Sequence, residues 1–366
     1  MAVSPKKNRG EWSELFVLVK LLSTGALPYD SGDSNSEKTT FPVISISRNI
    51  SGTDHQFRIS HGSIEIEKTS KQSVISTIPQ QSLSLQASDL LKQIKAGSGR
   101  AFNVPSADGI MSMLGIEKAT GIKSKDDLRI TIYDPRTKQQ NSQGFSVKSF
   151  LGANPSLLNA SGVTNIEFDV SGALSDSERV EHNKLGPIAL VSSLIKNGHE
   201  LVLSKIDSRF AENLKMIDSN MDSLIGHIVI SSYIGRGRTW PDIVKILTDD
   251  NPLNYSSQNI ESRYTHKIKD LLEAVALGMR PSEPWAGTRE AEGGNLIVTS
   301  SGEILCHHSL DKDSLRNYLF SNTYIDTPSR SKWKFGSIVG NKLILNFQIR
   351  VKKQSVKSEN HSRILT

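Results

Sequence analysis

The chain has 366 residues, of which 36% are hydrophobic and 22% are charged, proportions typical of a folded globular protein rather than a disordered one. No apolar run reaches the roughly 18 residues that a membrane span requires, and the first residues lack the apolar stretch of a secretory signal, so we expect a cytoplasmic protein with no membrane partner. The single cysteine, Cys306, excludes an internal disulfide and a cysteine-based zinc cluster, while the net charge of +6 suits, without identifying, a polyanionic partner.

The N-terminal part predicts one amphipathic helix followed by short strands. Apolar residues recur at three- and four-residue spacing over Gly10–Leu22, which predicts a helix with Asn8 as its N-cap and Gly25 after its end. The polar stretch Asp30–Thr40 predicts a loop. Strands are then predicted at Phe41–Ser47, Gln56–Ile59 and Ile64–Glu67, and helices at 85–96 and 105–114.

The clearest local pattern is a β-hairpin in the middle of the chain. Apolar and polar residues alternate over Leu128–Tyr133 and again over Gly144–Phe150. The polar segment Pro135–Gln143 between them predicts the turn. A further strand is predicted at Thr164–Val170.

The region from about residue 176 to 280 predicts mostly helix, and strands return after it. The helical region includes Pro187–Ile195 and His266–Gly278. Strands follow at Asn295–Thr299, Glu303–His307 and Lys342–Arg350, with a helix at 311–320. Because we find no repeat and no linker, we expect one mixed α/β unit over 8–350, composed of an N-terminal helix and core at 8–205, a helical and β elaboration at 206–350, and a mobile basic tail at 351–366.

The hairpin carries side chains suited to phosphodiester hydrolysis. That reaction needs an acidic site for a divalent metal, an attacking water, and a cation near the charge that develops on phosphorus. Ser146 and Lys148 are two residues apart, so they share one face of the second strand, and Asp127 lies on the polar face of the first. We expect these three side chains to converge. Asp126 and Asp134 are alternatives to Asp127, and a solvated strand lysine is the alternative for Lys148.

Several blocks of the sequence occur in order in a known family of nucleases. The blocks are NRGEWSELFVLVKLL, KSKDDLRITIYD, GFSVKSFLG with SLLNASGVTN, and the late GEILCHH, LFSNTYIDTPS and LNFQIR. Together they resemble the HpaII kind of type II restriction endonuclease, and the hairpin resembles the signature of the PD-(D/E)xK superfamily. The resemblance implies an α/β (mixed α+β) fold. Its restriction-endonuclease-like core would be a helix, a central mixed sheet and flanking helices, with a C-terminal helical and strand elaboration for DNA recognition.

The chain departs from the superfamily pattern at Ser146, where a glutamate or aspartate is usual. A serine hydroxyl is a poor metal ligand beside a carboxylate, so the second acidic ligand must come from another element. The superfamily often places a glutamate on the helix that precedes the sheet, which points to Glu14. Glu11 and Glu167 are the alternatives.

The resemblance also implies a mechanism. Asp127, Glu14 and the backbone carbonyl of Val147 would hold Mg²⁺, a cation that prefers oxygen ligands and keeps several waters. Lys148 would orient the attacking water or stabilise the phosphorane, and Ser146 would lie within the site without being a strong ligand. The product would carry a 5′-phosphate.

The function implied is site-specific cleavage of double-stranded DNA, by analogy at a short GC-rich palindrome such as CCGG. The same biology implies a cognate DNA methyltransferase, and a palindromic target fits either a homodimer or two successive nicks by a monomer. The competing hypothesis is a sequence-specific DNA-binding protein that no longer cuts, because Ser146 replaces an acid.

Two segments are candidates for DNA contact. In Asn322–Phe335, basic residues flank an aromatic one, a composition typical of nucleic-acid surfaces and also of a solvated loop. The candidates there are Arg330, Lys332, Trp333 and Lys334. The second segment follows the catalytic strand and offers Asn159 and Asn165.

Overall fold

The computed structural model describes residues 6–29, 39–50, 53–68, 73–116, 126–135, 137–256, 258–309 and 312–353. Most of the predicted loop Asp30–Thr40, and the predicted tail beyond Lys353, lie outside these residues. The helices are α1 (Arg9–Thr24), α2 (Ser82–Ala96), α3 (Pro105–Met113), α4 (Asp176–Lys184), α5 (Pro187–Lys196), α6 (Ser208–Ile217), α7 (Met221–Ile234), α8 (Trp240–Asp250), α9 (Ile260–Leu277), α10 (Lys312–Asn322) and α11 (Arg330–Trp333). Across the described ranges, no helix has the length and hydrophobicity needed to cross a membrane.

The strands form one large sheet and two small ones. They are β1 (Ala26–Tyr29), β2 (Thr39–Ile50), β3 (Thr53–Ser60), β4 (Ser63–Lys68), β5 (Ser73–Pro79), β6 (Leu128–Asp134), β7 (Gln139–Ser149), β8 (Ser156–Leu158), β9 (Asn165–Val170), β10 (Leu201–Ile206), β11 (Gly294–Val298), β12 (Ile304–His308), β13 (Thr323–Asp326), β14 (Ile338–Val339), β15 (Lys342–Asn346) and β16 (Gln348–Val351). Among the residues that the structure describes, the large sheet has nine strands in the order β1-β12-β11-β7-β6-β2-β3-β4-β5. The small sheets have the orders β10-β9-β15-β14 and β13-β16-β8.

Helix α1 begins and ends where its capping residues require. Asn8 and Glu11 form a reciprocal capping box, in which each side chain accepts a hydrogen bond from the other residue's backbone N–H. Gly25 ends the helix at φ +64°, a left-handed conformation that favours glycine. The apolar residues Trp12 and Phe16 are fully buried against the large sheet. The predicted helix is confirmed, with one extra residue at its start and two at its end.

The centre of the large sheet is the predicted hairpin together with a strand from far along the chain. β6 and β7 pair antiparallel, with Leu128 opposite Phe145. β7 then pairs in parallel with β11, which places Ser146 beside Asn295. β12 continues the sheet antiparallel to β11. The resulting large mixed sheet with flanking helices confirms the predicted mixed α/β restriction-endonuclease-like fold.

Two hydrophobic cores lie on opposite faces of this central pair of strands. Phe145 and Leu296 belong to the core that contains α1. Phe150 and Ile297 belong to the core formed by the helices and small sheets of the C-terminal half. β7 and β11 therefore separate the two cores, and hydrophobic packing on both faces of the sheet fixes the backbone of these two strands. The division into 8–205 and 206–350 stays a prediction.

Three local predictions were wrong in detail. The turn of the hairpin is shorter than Pro135–Gln143, because Gln139 already pairs with Asp134. The mostly helical region contains strand β10, which pairs with β9 at the edge of a small sheet. The predicted strand Lys342–Arg350 is two strands, β15 and β16, which join different sheets on either side of buried Phe347. In each case backbone pairing decided the outcome, within the hairpin for its turn and with other segments for the other two, and side-chain periodicity does not report that pairing.

Candidate active site

Asp127, Ser146 and Lys148 form one hydrogen-bonded group where β6 and β7 meet. One carboxylate oxygen of Asp127, Oδ2, accepts hydrogen bonds from the Val147 backbone N–H at 2.6 Å and from Ser146 Oγ at 3.3 Å. Lys148 Nζ donates to Ser146 Oγ at 2.9 Å. The three side chains converge as the hairpin pattern predicts. The Lys148 ammonium is bound to a neutral hydroxyl rather than to a carboxylate, so its charge is available to a ligand.

Glu14, on α1, lies near Asp127. Its Oε2 accepts a hydrogen bond at 2.5 Å from Arg48 on β2, which is almost completely buried. Burial raises the pKa of Glu14 to about 7, with the nearby Asp127 carboxylate adding to this rise and Arg48 opposing it. The Glu14 carboxylate is therefore close enough to Asp127 for the two charges to interact, and it is paired with Arg48.

The other two candidate glutamates are engaged elsewhere. The Glu11 carboxylate caps α1 by accepting from the Asn8 N–H at 2.8 Å. Glu167 lies on β9, in a small sheet, where it pairs with Lys342. Of the three glutamates, the structure brings only Glu14 close to Asp127.

Two grooves meet at Lys148. A cleft of about 300 Å³ is lined by Asp127, Ser146 and Lys148 together with Asn159 and Arg280. A second groove of about 350 Å³ lies on the other side of Lys148 and is lined by residues that include Glu14 and Arg100. The catalytic candidates therefore line two solvent-open grooves that share Lys148, an arrangement with room for an extended substrate.

The chain matches the model of the HpaII restriction endonuclease family over residues 8–351. The chain belongs to this family. It is 35% identical over 335 residues to the type II restriction enzyme HpaII of Haemophilus parainfluenzae, an alignment that covers 90% of this chain and 93% of that enzyme. No solved structure matches the chain significantly. The protein is thus an HpaII-like type II restriction endonuclease, an enzyme of a family that cleaves DNA at specific sites.

Type II restriction endonucleases generally depend on a divalent metal, and the donor set in this HpaII family member fits one. Asp127 and Glu14 supply two carboxylates, and their mutual repulsion is the kind that a bound cation relieves. The described residues contain no cluster of three or more histidine, cysteine, aspartate or glutamate side chains placed to hold a metal. Such a site suits a hard cation that completes its shell with water and backbone oxygen, as Mg²⁺ does.

The residues predicted to contact DNA fall into two groups. Asn159 is exposed in the cleft beside Lys148. Lys332 and Lys334 are exposed at α11, with Lys332 Nζ 4.3 Å from the centre of the Trp333 ring.

Of the other three candidates, Trp333 packs partly buried against the C-terminal core, and Arg330 and Asn165 make hydrogen bonds within the fold. Arg330 donates to the carbonyls of Leu185 and Asn183 and to the Ser337 hydroxyl. Asn165 donates to the Trp333 carbonyl and accepts from Asn346. Arg330 therefore anchors α11 to the connection between α4 and α5.

Four residues at the site went unnoticed in the sequence. Arg48 and Asn295 come from strands whose neighbours cannot be read from local patterns. Arg280 follows α9 and is held at the cleft by Glu290. Arg100 ends the glycine-rich segment AGSGR, in which Gly99 has φ +82°. A glycine-rich turn before an arginine is a local signal of an anion-binding loop, although this segment lacks the Gly-Lys-Ser/Thr ending of a P-loop.

Proposed function

We propose that this enzyme hydrolyses phosphodiester bonds of double-stranded DNA at a short specific sequence, uses Mg²⁺, and leaves 5′-phosphates. The observation that carries the proposal is the hydrogen-bonded group of Asp127, Ser146 and Lys148 beside Glu14, at the junction of two grooves. It combines carboxylates that can hold a metal with an ammonium beside solvent-open grooves, which meets the requirements of phosphodiester hydrolysis.

The metal ligands in this proposal are the carboxylates of Asp127 and Glu14 and the backbone carbonyl of Val147. When bound, the cation supplies charge neutralisation at the scissile phosphate and acidity to a water molecule. Asp127 is pre-oriented for this task, since its Oδ2 is fixed by the Val147 N–H. Arg48 fixes Glu14 in the same way. Both carboxylates are therefore positioned before substrate arrives.

Lys148 supplies the positive charge that the reaction needs beside the metal. Its ammonium stabilises the negative charge that develops on the phosphorane oxygens, or orients the attacking water. Ser146 is not a metal ligand in this scheme. Its hydroxyl links Lys148 to Asp127, and so keeps the ammonium next to the carboxylates without a direct ion pair.

The target and the partners follow from the family. We propose a short GC-rich palindrome, CCGG-like by analogy with the HpaII relative, read in part by Asn159 and by the exposed Lys332 and Lys334. A palindrome favours a homodimer, and a restriction enzyme in the cytoplasm requires a cognate methyltransferase that protects host DNA. The second candidate function, a DNA-binding protein that does not cut, is favoured by Ser146 alone.

The deciding experiment incubates the purified protein with an unmethylated plasmid of known sequence, in Mg²⁺ or in EDTA. We expect discrete fragments in Mg²⁺ and none in EDTA, and sequencing of their ends gives the target and the 5′-phosphate. A plasmid intact in both lanes, with a mobility shift on a short duplex, would instead establish the non-cutting DNA binder.

A further inference from the structure

Asn295 lies in the middle of the large sheet, next to the catalytic group. On β11 it is the register partner of Ser146 on one side and of His307 on the other. Register partners on neighbouring strands point to the same face of a sheet, so the Asn295 amide lies on the face that carries Ser146 and Lys148. Its far side is closed by His307, whose ring stacks on Tyr318 at 3.6 Å between centres.

This amide is buried without a hydrogen-bond partner. Asn295 is 2% exposed, and neither Nδ2 nor Oδ1 has a partner among the described residues. Leaving a buried amide unsatisfied costs free energy that an apolar residue of similar size would avoid. The fully buried Asn346 shows the ordinary alternative, because its Nδ2 donates to the Ser161 carbonyl and to Asn165 Oδ1.

Ser146 has room for one more hydrogen bond. A serine hydroxyl has one donor and two lone pairs. In the structure its proton goes to Asp127 and one lone pair accepts from Lys148. The second lone pair remains, and the first becomes vacant whenever Lys148 turns toward a phosphate.

We propose that Asn295 is a positioning residue that binds the Ser146 hydroxyl, directly or through one water, when Lys148 leaves it for the scissile phosphate. This exchange of hydrogen bonds keeps Ser146 bound to Asp127. It also lowers the free energy needed to release Lys148 from Ser146. The Asn295 amide is unsatisfied in the resting enzyme because its partner, the Ser146 hydroxyl, is then bound to Lys148. The inference rests on the proposed function, because it assigns a partner to the Lys148–Ser146 pair of that mechanism.

The test rests on opposite expected changes in stability and activity when the Asn295 amide is removed. Asn295→Leu removes the unsatisfied amide while keeping the number and branching of the side-chain heavy atoms, so we expect its Tm to rise by about 2–4 °C. Its kcat should fall about tenfold, while its Kd for a target duplex in Ca²⁺ stays unchanged. Asn295→Ser, which retains a donor, should recover part of the lost kcat. The matched control is Asn346→Leu, which removes a satisfied amide of the same burial and should lower Tm.

The outcomes separate this inference from the proposed function. An Asn295→Leu protein that is stable and cuts at the wild-type rate would overturn the positioning role while leaving the nuclease mechanism intact. A lowered Tm in Asn295→Leu would overturn the claim that the amide is unsatisfied. If Asn295→Leu does not fold, Asn295→Ala takes its place, and an unchanged kcat in that variant would overturn the positioning role. A wild-type protein that never cuts would overturn both.

Discussion

Two regions of this molecule hold a glutamate away from most of the solvent, and they differ in the charges that surround it. Glu273 on α9 is 4% exposed and has three cationic neighbours, Arg289 at 2.9 Å, Arg316 at 3.1 Å and Lys312 at 3.9 Å. Glu14 at the candidate site pairs with Arg48, and Lys7 also lowers its pKa, while the Asp127 and Glu11 carboxylates repel it.

The difference separates a structural ion network from a site that waits for a ligand. Around Glu273 the positive charges outnumber the negative ones, so nothing more is needed for burial. At Glu14 the positive charges of Arg48 and Lys7 do not offset burial and the neighbouring Asp127 and Glu11 carboxylates, so the pKa of Glu14 is raised to about 7. Uncompensated charge of this kind is costly unless a substrate or a cation completes it, which is typical of functional sites.

The largest expected effect comes from removing the free ammonium of the site. Lys148→Ala should lower the cleavage rate by at least about 10²–10³-fold, because nothing else in the group can stabilise the developing phosphorane charge. DNA affinity and Tm should change little, since Lys148 bonds only to a neutral hydroxyl. Single-turnover cleavage and a gel-shift titration measure the two quantities. A variant that still cuts at the wild-type rate would refute the assignment of Lys148.

The next effect tests the opposite region. Glu273→Gln leaves Arg316, whose side chain is 8% exposed, with Asp270 as its remaining acidic partner. Because a buried arginine then lacks full compensation, we expect a loss of about 3 kcal/mol in the free energy of unfolding. Urea denaturation followed by circular dichroism gives this value. Cleavage by the folded fraction should stay at the wild-type level, and a parallel loss of activity would show that the α9 network is not purely structural.

Glu14→Gln should reverse that pattern. The lost Arg48 pair is offset by relief of the repulsion from Asp127, so stability should change less than in Glu273→Gln. The Mg²⁺ concentration for half-maximal cleavage should rise about tenfold or more, since a carboxylate ligand is lost. Glu11→Gln is the matched control, because Glu11 caps α1 and should affect stability alone. If Glu11→Gln raises the Mg²⁺ requirement and Glu14→Gln does not, the two assignments must be exchanged.

The smallest effect concerns a cation that is not used by the fold. Within the described chain Arg100 is exposed and makes no ion pair, unlike Arg316. As a phosphate contact it would contribute about one unit to the slope of log K against log salt concentration. We expect Arg100→Ala to reduce that slope by about one, with Tm unchanged. Lys245→Ala, an equal charge change on the exposed side of α8, should leave the slope as it is, and equal slopes for both variants would exclude a specific contact.

Local patterns predicted the parts of the site that lie close together in the sequence. Alternation of apolar and polar residues locates the β6–β7 hairpin, and a period of two puts Ser146 and Lys148 on one face. Capping residues and helical spacing locate α1 and with it Glu14. These features depend on hydrogen bonds and side-chain directions within about twenty residues, which a sequence displays directly.

Composition was a poorer guide to which polar residues face the solvent. Arg330 and Lys332 stand in the same basic segment, yet Arg330 makes three internal hydrogen bonds while Lys332 is exposed. Their different roles arise because Leu185 and Asn183, nearly 150 residues earlier, bring carbonyl groups to α11. Nothing within the segment itself distinguishes the two side chains.

By itself, the sequence determined the family, the mixed α/β class, the β6–β7 hairpin and the basic character of the chain, since each follows from ordered motifs, local periodicity or simple charge counting. Only the tertiary structure decided that β11 lies beside β7, that Asn295 is buried next to Ser146, and that Arg48 holds Glu14. The physical reason is that strand pairing joins backbone groups whatever the side chains between them, so segments far apart in the chain become neighbours without a local signal.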